Sequence, residues 1–200
     1  MAGLPLTIMR PDRRHGPGPL GRLRTAAGPL KPNEGHMKTL LLIRHAKAER
    51  AWSGLSDHDR ELDDRGRRDA PEMGRRLKQR GVVPDRMISS SALRAAATAR
   101  LIAGEIGMAR DGIVEDRRLY ASSTMAMLYL LQELDDSLTC VALVGHNPEM
   151  TELAQHFAPH APDMATCAVA QLDFDLASWS EVDTVSPDCA VFDSPGKWHD

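Results

Sequence analysis

The chain has 200 residues, a hydrophobic fraction of 42% and a formal net charge of −3 at pH 7. This length and composition suit one globular domain with a sizeable core, and the charge gives no indication of a nucleic-acid or membrane partner. Three cysteines, far apart in the sequence, lack the spacing of a zinc site or a disulfide framework. No apolar segment approaches the length of a transmembrane helix, so we predict a cytoplasmic protein in a reducing compartment.

The first 36 residues are rich in Pro, Gly and Arg and show neither helical nor strand periodicity. Such a segment buries too little apolar surface to offset the entropy that is lost on ordering. We therefore predict that residues 1–36 form a disordered basic extension. A secretory signal is disfavoured because no apolar centre is present, and a transit peptide fits except for its missing serines. Met37 stands just ahead of the first predicted strand and could be the working start.

An apolar run at residues 40–43 leads directly into Arg44 and His45. A short continuous run of this kind, bounded by polar residues, predicts a strand that is buried on both faces. In open α/β sheets, functional residues collect just past the C-terminal ends of such strands. An arginine beside a histidine suits a phosphoryl site, because guanidinium grips phosphate oxygens as a fork and neutral imidazole is a good nucleophile.

A polar segment, residues 49–64, follows this pair and predicts an ordered loop. Arg60 in this loop either adds positive charge to a phosphate site or only forms local ion pairs. Residues 65–80 then predict a helix with one apolar face. Its regular part is expected to start near Asp69, because Pro71 fits only the first turn of a helix.

Residues 87–89 predict a short strand, and residues 92–106 predict a helix that is capped by Ser90, Ser91 or both. Arg94 lies in the first turn of this helix, where the positive end of the helix dipole disfavours a cation. An arginine there is explained if an anion binds at the same place, to the guanidinium and to free backbone N–H groups. The alternative is an ordinary surface arginine.

A second strand buried on both faces is predicted at residues 140–144. His146 follows it and comes just before Pro148, which is well placed as the first residue of a helix. This placement at a strand end repeats that of His45. The set of candidate residues now has four members: two strand-end histidines, the arginine beside the first of them and the arginine at the start of the second helix. Such a set suits the binding of phosphate.

The remaining elements complete an α/β pattern. Residues 124–134 predict a helix, residues 168–174 alternate and predict a strand, and residues 179–185 could pair with that strand. Strands separated by helices favour a three-layer α/β/α sandwich with a mostly parallel central sheet. We predict that the domain spans residues 37–186 and that residues 187–200 form a loose tail.

Three segments resemble the motifs of the histidine phosphatase superfamily, whose fold is phosphoglycerate mutase-like. They are residues 42–46, 89–99 and 144–148. Within the superfamily, the chain most resembles the short SixA-type phosphohistidine phosphatases, in which Arg-His-Ala replaces the commoner Arg-His-Gly and a segment like residues 57–66 recurs. The resemblance covers about residues 38–185 in the expected order, so the motif set is specific.

The resemblance implies a role for each residue. His45 would be the nucleophile and would become transiently phosphorylated. Arg44 and Arg94 would hold the phosphoryl oxygens. His146 would donate a further hydrogen bond to those oxygens, and Arg60 would assist from the loop. Such a site needs no metal and no other cofactor, since arginine and histidine supply the charge that Mg²⁺ supplies elsewhere.

One departure from the family pattern points to the substrate. The broad superfamily usually provides a glutamate as proton donor ahead of the second buried strand, but residues 118–124 contain no carboxylate. Loss of an acid slows reactions with an alkoxide leaving group more than hydrolysis of a phosphoramidate, whose nitrogen can carry its own proton. We therefore predict a signal-transduction phosphatase that acts on phosphohistidine of a partner protein.

Two alternatives stay open. One is a phosphatase of the same fold that acts on small phosphorylated molecules, with Asp57, Asp59 or a water as the acid. The other is a module that binds a phosphorylated ligand and turns it over poorly. The presence of His45 argues against the second, because binding alone would not need a nucleophile.

Overall fold

The structure, a computed structural model, describes residues 37–51, 54 and 56–196, together with a strand at residues 7–9. Within this part of the chain, seven strands form one sheet and four α-helices flank it. The strands are β1 (Thr7–Met9), β2 (Met37–Arg44), β3 (Arg86–Ser89), β4 (Ile113–Glu115), β5 (Cys140–Gly145), β6 (Val169–Asp175) and β7 (Cys189–Asp193). The helices are α1 (Asp64–Gln79), α2 (Leu93–Ile106), α3 (Thr124–Gln132) and α4 (Glu149–Phe157).

The sheet has the strand order β1-β7-β6-β2-β5-β3-β4. Strands β2, β5, β3 and β4 run parallel to one another. Strand β6 is antiparallel to β2 and β7, and β7 is antiparallel to β1. Five of the seven described strands therefore point the same way, although three of the six pairings are antiparallel. The predicted α/β fold is confirmed, with a mixed sheet in which the parallel half holds the strand-end histidines.

Strand β2 lies at the centre of three layers, because its side chains are apolar on both faces. Leu40 and Leu42 are fully buried in a cluster with α3 and α4. Leu41 and Ile43 are fully buried in a second cluster with α1 and α2. This double burial is what the continuous apolar run predicted. Because the strand itself is covered on both faces, the polar residues at its end are the first ones in this segment that can reach solvent.

Helix α1 begins a turn earlier than predicted. Asp63 is its N-cap, and the Asp63 side chain accepts a hydrogen bond from the N–H of Gly66 at 2.8 Å. Pro71 lies inside the helix, so the expectation of a start near Asp69 was wrong. The cap sets the start of the helix, and α1 continues through Pro71 although this residue has no N–H to donate to the preceding turn.

The segment after β6 also differs from prediction. Residues 179–185 were expected to pair with β6 as a strand, but Trp179–Thr184 form a 3₁₀-helix. The buried Trp179 indole donates a hydrogen bond to the carbonyl of Leu138 at 2.8 Å, which holds this segment against the face of the sheet. The partner of β6 is β7, in the region that was predicted as a loose tail. Flanking prolines hid the alternation of β7, in which Ala190 and Phe192 are buried.

Strand β1 pairs with the outer side of β7 in antiparallel register. It is the described part of residues 1–36, and the rest of that segment lies outside the described residues. The disordered basic extension therefore stays a prediction. Within the ranges that the structure describes, no helix has both the length and the apolar character needed to cross a bilayer.

The chain between β2 and α1 forms a loop whose two ends pair with each other. Ala48 and Leu62 form an isolated antiparallel bridge. Beside it, the N–H of Glu49 donates to the carbonyl of Glu61 at 2.9 Å. The loop between these residues is thus closed at its base, next to the end of β2.

Gly66 holds α1 close to this base. It lies in the first turn of α1, and a Cβ at this position would overlap the carbonyl oxygen of Lys47, two residues beyond His45. The obstacle is backbone, so it cannot turn aside as a flexible side chain would. Only glycine allows this approach of α1 to the segment that follows the strand end.

Replacement of Gly66 by alanine is expected to lower the free energy of unfolding by about 2 kcal/mol, because α1 or the Lys47 backbone must shift. Urea denaturation measures the change. Gly104→Ala in α2 is the matched control: Gly104 is exposed and an added Cβ meets no atom within 4 Å. That variant is expected to gain about 0.5–1 kcal/mol of helix propensity. Equal stabilities of the two variants would contradict the close packing at Gly66.

Candidate active site

The sequence-predicted residues meet at the C-terminal edge of the parallel strands. Arg44 ends β2 and His45 follows it, while His146 follows β5, the parallel neighbour of β2. The N–H of His45 donates to the carbonyl of Gly145 at 2.9 Å, which places the two strand ends side by side. The rings of His45 and His146 have centroids 5.0 Å apart. Arg94, in the first turn of α2, lies between them.

His45 is held in one tautomer. Its Nδ1 lies 2.7 Å from the carbonyl oxygen of Ala46. A carbonyl can only accept, so Nδ1 carries the hydrogen and Nε2 has the lone pair. Burial, above all, lowers the pKa of the His45 imidazole to about 3, and the neighbouring His146 and Arg94 lower it further. The ring is therefore neutral at pH 7, with Nε2 able to act as a nucleophile.

Arg94 connects the two histidines. Its guanidinium is nearly buried, and its Nε donates to His45 Nε2 at 3.2 Å. Its Nη2 lies 3.3 Å from His146 Nδ1, which must accept this hydrogen bond. The hydroxyl of Thr98 donates to the Arg94 carbonyl at 2.7 Å and accepts from the N–H of Ala46 at 2.9 Å. Thr98 thus ties the first turn of α2 to the residue that follows His45.

His146 has the opposite tautomer. Because Nδ1 accepts from Arg94, Nε2 carries the hydrogen and donates to the hydroxyl of Ser90 at 2.8 Å. Burial lowers the pKa of His146 to about 4. The prediction that Ser90 or Ser91 caps α2 was wrong: the N-cap is Ala92, whose side chain cannot accept a hydrogen bond. The Ser90 hydroxyl contacts His146 and also accepts a hydrogen bond from the N–H of Ala92 at 3.3 Å.

Arg44 has a donor without a partner. Its Nη1 donates to the carbonyl of Met164 at 2.8 Å. Its Nε is buried and has no hydrogen-bond partner within the described part of the chain. Nearly all buried polar groups in proteins are paired, so an unpaired guanidinium donor beside the two histidines favours an anionic ligand there. Arg44 precedes His45 and pairs with Gly145, which precedes His146, and its charge lowers the pKa of both imidazoles.

Asp57 lies against Arg94 at the mouth of this cluster. Its Oδ2 accepts from Arg94 Nη2 at 2.8 Å, and its backbone carbonyl accepts from Arg94 Nη1. Its Oδ1 accepts from Arg60 Nη1 at 2.7 Å. Hydrogen bonds from Arg60 and then Arg94 lower the pKa of Asp57 to about 2. The carboxylate is therefore ionised at neutral pH and cannot donate a proton while it is held here.

Arg60 reaches the cluster through Asp57. The other guanidinium nitrogens of Arg60, Nε and Nη2, donate to the carbonyl of Glu49 at 2.9 and 2.6 Å. Its contact with Asp57 brings its charge next to the position that Arg94 occupies. The structure thus places Arg60 around the mouth of the site, one residue removed from the histidines.

Two aromatic rings at the mouth were missed by sequence reasoning. Tyr120 lies in the segment in which a carboxylate was sought, and its hydroxyl is 3.3 Å from Asp57 Oδ2. Its ring centroid lies 5.6 Å from that of His146 and 4.9 Å from that of His58. His58 Nε2 in turn lies 3.0 Å from the Ser91 hydroxyl. The signal that could have found Tyr120 is one aromatic residue in an otherwise small and polar segment.

The arrangement suits transfer of a phosphoryl group to a histidine. It combines a neutral imidazole whose Nε2 is unprotonated, two guanidinium groups and a second imidazole at one strand edge. Guanidinium groups can balance the charge that develops on the equatorial phosphoryl oxygens. Among the described residues, no group of three or more His, Cys, Asp or Glu is arranged to hold a metal ion.

Comparison with known proteins agrees with this geometry. Residues 40–120 match the model of the histidine phosphatase superfamily, branch 1. This range contains the segment from His45 through Arg94 to Tyr120. A chloroplast protein of Arabidopsis thaliana with no assigned activity is 26% identical over 181 residues, which cover 84% of this chain and 77% of the relative.

Solved structures show the same fold. A protein from Agrobacterium tumefaciens that is assigned as phosphohistidine phosphatase SixA is 26% identical, with a TM-score of 0.65, and covers 80% of this chain and 99% of its own. The protein histidine phosphatase SixA in complex with tungstate has a TM-score of 0.67 at 21% identity, over 78% of this chain and 97% of that chain. At that identity, the second match establishes the fold alone.

These comparisons confirm the predicted family, its SixA type and the phosphatase class of enzyme. Because the sequence match, the fold and the meeting of the motif residues at one strand edge agree, this chain belongs to the histidine phosphatase superfamily.

Proposed function

We propose that this protein is a cytoplasmic, metal-independent phosphatase that removes phosphate from phosphohistidine on a partner protein in signal transduction. The observation that carries the proposal is the hydrogen bond between His45 Nδ1 and the Ala46 carbonyl. It leaves His45 Nε2 unprotonated, next to the guanidinium of Arg94. A nucleophile prepared in this way is required for a phosphohistidine enzyme intermediate.

The reaction follows from these positions in two steps. In the first, His45 Nε2 attacks the phosphorus, the bond to the leaving group breaks, and its electron pair leaves with that group. Arg44 and Arg94 bind the phosphoryl oxygens and balance their charge. In the second step, water attacks the phosphorus, the P–N bond to His45 breaks, and inorganic phosphate forms. His146 provides a further hydrogen bond to the phosphoryl group from Nδ1. For this, the ring hydrogen moves from Nε2 to Nδ1, and the Ser90 hydroxyl then donates to Nε2.

The ionised state of Asp57 supports one substrate class. Asp57 contacts Arg94, where a pKa of about 2 keeps it ionised, and an aspartate in solvent, with an ordinary pKa of about 3.9, is ionised at neutral pH as well. An alkoxide leaving group needs a proton from the enzyme, whereas the imidazole of phosphohistidine can carry its own. This difference supports phosphohistidine over small phosphomonoesters, and the similarity to SixA-type proteins supports the same choice.

Phosphate release measured with a phosphohistidine-bearing protein and with a panel of phosphomonoesters tests the proposal. His45→Ala is expected to lower turnover of phosphohistidine by about a thousandfold or more, because the nucleophile is lost. His160→Ala is the matched control, since His160 is an exposed histidine beyond the far end of α4. Wild-type protein should acquire acid-labile phosphate at His45. Faster turnover of phosphomonoesters than of phosphohistidine would favour the small-molecule alternative.

Absence of covalent labelling would favour the binding module instead. A module that only binds would still retain phosphate on Arg44 and Arg94 but would not form a phosphorylated protein. Labelling of wild type and of His160→Ala, without labelling of His45→Ala, separates the two cases in one experiment.

The pH dependence of kcat/KM provides an independent test. An ordinary histidine with a pKa near 6.5 would lose its lone pair, and activity, as the pH falls below 6.5. The pKa values of about 3 for His45 and about 4 for His146 keep both rings neutral to well below pH 5. We therefore expect kcat/KM to show no loss from histidine protonation between pH 7.5 and about 5. A tenfold fall per pH unit below 6.5 would contradict the neutral nucleophile.

Residues 1–36 are proposed to be dispensable for catalysis. None of the described contacts at the site involves residues 7–9, but β1 pairs along the outer side of β7. Deletion of residues 1–36 is expected to leave kcat/KM for phosphohistidine unchanged and to lower the melting temperature, because β7 loses a partner. A large loss of activity in a folded deletion variant would contradict this proposal.

A further inference from the structure

We infer that Asp57 is a resident anion of the phosphoryl site, which every phosphorylated substrate and the phosphate product must displace from Arg94. The inference rests on the proposed function in one respect, the role of Arg94 as a phosphoryl-binding residue. It adds a residue that sets the affinity of the site for all oxyanions.

The contacts of Arg94 are those expected for a bound oxyanion. Nη2 donates to the carboxylate of Asp57 at 2.8 Å, and Nη1 donates to the backbone carbonyl of the same residue. Two parallel donors of one guanidinium thus meet two oxygen atoms, the geometry with which arginine also binds phosphate. Four of the five N–H groups of Arg94 donate in this arrangement, and Asp57 engages both Nη1 and Nη2. A phosphoryl group that binds these two nitrogens as a fork therefore takes over the bonds to Asp57.

Asp57 is held by further groups around the mouth. Arg60 donates to Oδ1 at 2.7 Å, and the hydroxyl of Tyr120 donates to Oδ2 at 3.3 Å. The 3₁₀-turn that presents Asp57 is fixed by a hydrogen bond from the Ser56 hydroxyl to Asp59 at 2.8 Å. The position of the carboxylate is therefore set by its surroundings and is not one of many rotamers of a surface side chain.

Exposure of the two partners is unequal, which makes exchange feasible. The side chain of Arg94 is 7% exposed, whereas that of Asp57 is 51% exposed. A nearly buried guanidinium requires an anion, because an unpaired buried charge is costly. A half-exposed carboxylate can turn into solvent at lower cost. A phosphoryl dianion has more charge and more acceptor oxygens than a carboxylate, so it can replace Asp57 on the same donors.

The exchange also concerns the nucleophile. In the orientation that binds Asp57, Arg94 directs its Nε–H at the Nε2 lone pair of His45, 3.2 Å away. Attack on phosphorus requires that lone pair to be free. Displacement of Asp57 by the phosphoryl group lets Arg94 turn toward the new anion, and the lone pair of His45 is then released when a substrate is in place.

The experiment measures binding of tungstate and of inorganic phosphate to the full chain by titration calorimetry. Asp57→Asn removes the competing charge, and its dissociation constants are expected to fall by about tenfold, the effect of one charge-assisted hydrogen bond. Glu61→Gln is the matched control: it removes one negative charge from the same loop, but the exposed Glu61 carboxylate accepts its described hydrogen bond from Arg67 and not from Arg94. Its dissociation constants are expected to change by less than about twofold.

The outcomes separate this inference from the proposed function. Unchanged or weaker oxyanion binding in Asp57→Asn, with normal binding by wild type, would overturn the role of Asp57 alone. Failure of every form of the protein, wild type included, to bind either oxyanion would overturn the phosphoryl site itself. Asp57→Ala provides a second variant if the asparagine variant folds poorly, and it is expected to bind both oxyanions more tightly than wild type.

Discussion

A buried guanidinium needs acceptors for its N–H groups, and the hydrogen bonds of Arg94 to its acceptors organise the site. Its N–H groups reach a nitrogen of each strand-end histidine and two oxygens of Asp57. Burial of the two imidazoles keeps both rings neutral, and the charge of Arg94 between them acts in the same direction. The same cation requires an anion. Burial of this cluster at one strand edge therefore gives both a neutral nucleophile and an affinity for oxyanions.

The predictions that succeeded depended on patterns that tolerate little variation. A strand buried on both faces must be apolar throughout, so β2 and β5 could be read from the sequence, together with the residues that follow them. Arg94 was predicted to belong to an anion site because a cation in the first turn of a helix is unfavourable unless an anion is near. Parallel neighbours then bring their ends to one edge, which is why Arg44, His45 and His146 meet.

Apart from the start of α1, which a local cap determines, the predictions that failed concerned residues whose partners are distant in sequence. Nothing near Trp179 indicates that its indole binds the Leu138 carbonyl, and without that contact a strand is the natural expectation. Ser90 was read as a cap because a histidine 56 residues away cannot be inferred from local sequence. Asp57 was considered only as an acid, since its pKa depends on two arginines that only the fold brings to it.

The bridge between Ala48 and Leu62 closes the base of the loop that presents Asp57 and Arg60. His45, Arg94 and His146 are fixed by the sheet and by Thr98, below that base. The sheet therefore fixes the position of His45, whereas the loop, through Asp57, fixes the orientation of Arg94. The place of the nucleophile and the hold of the site on an anion thus depend on two different parts of the chain, which a change in the loop would affect unequally.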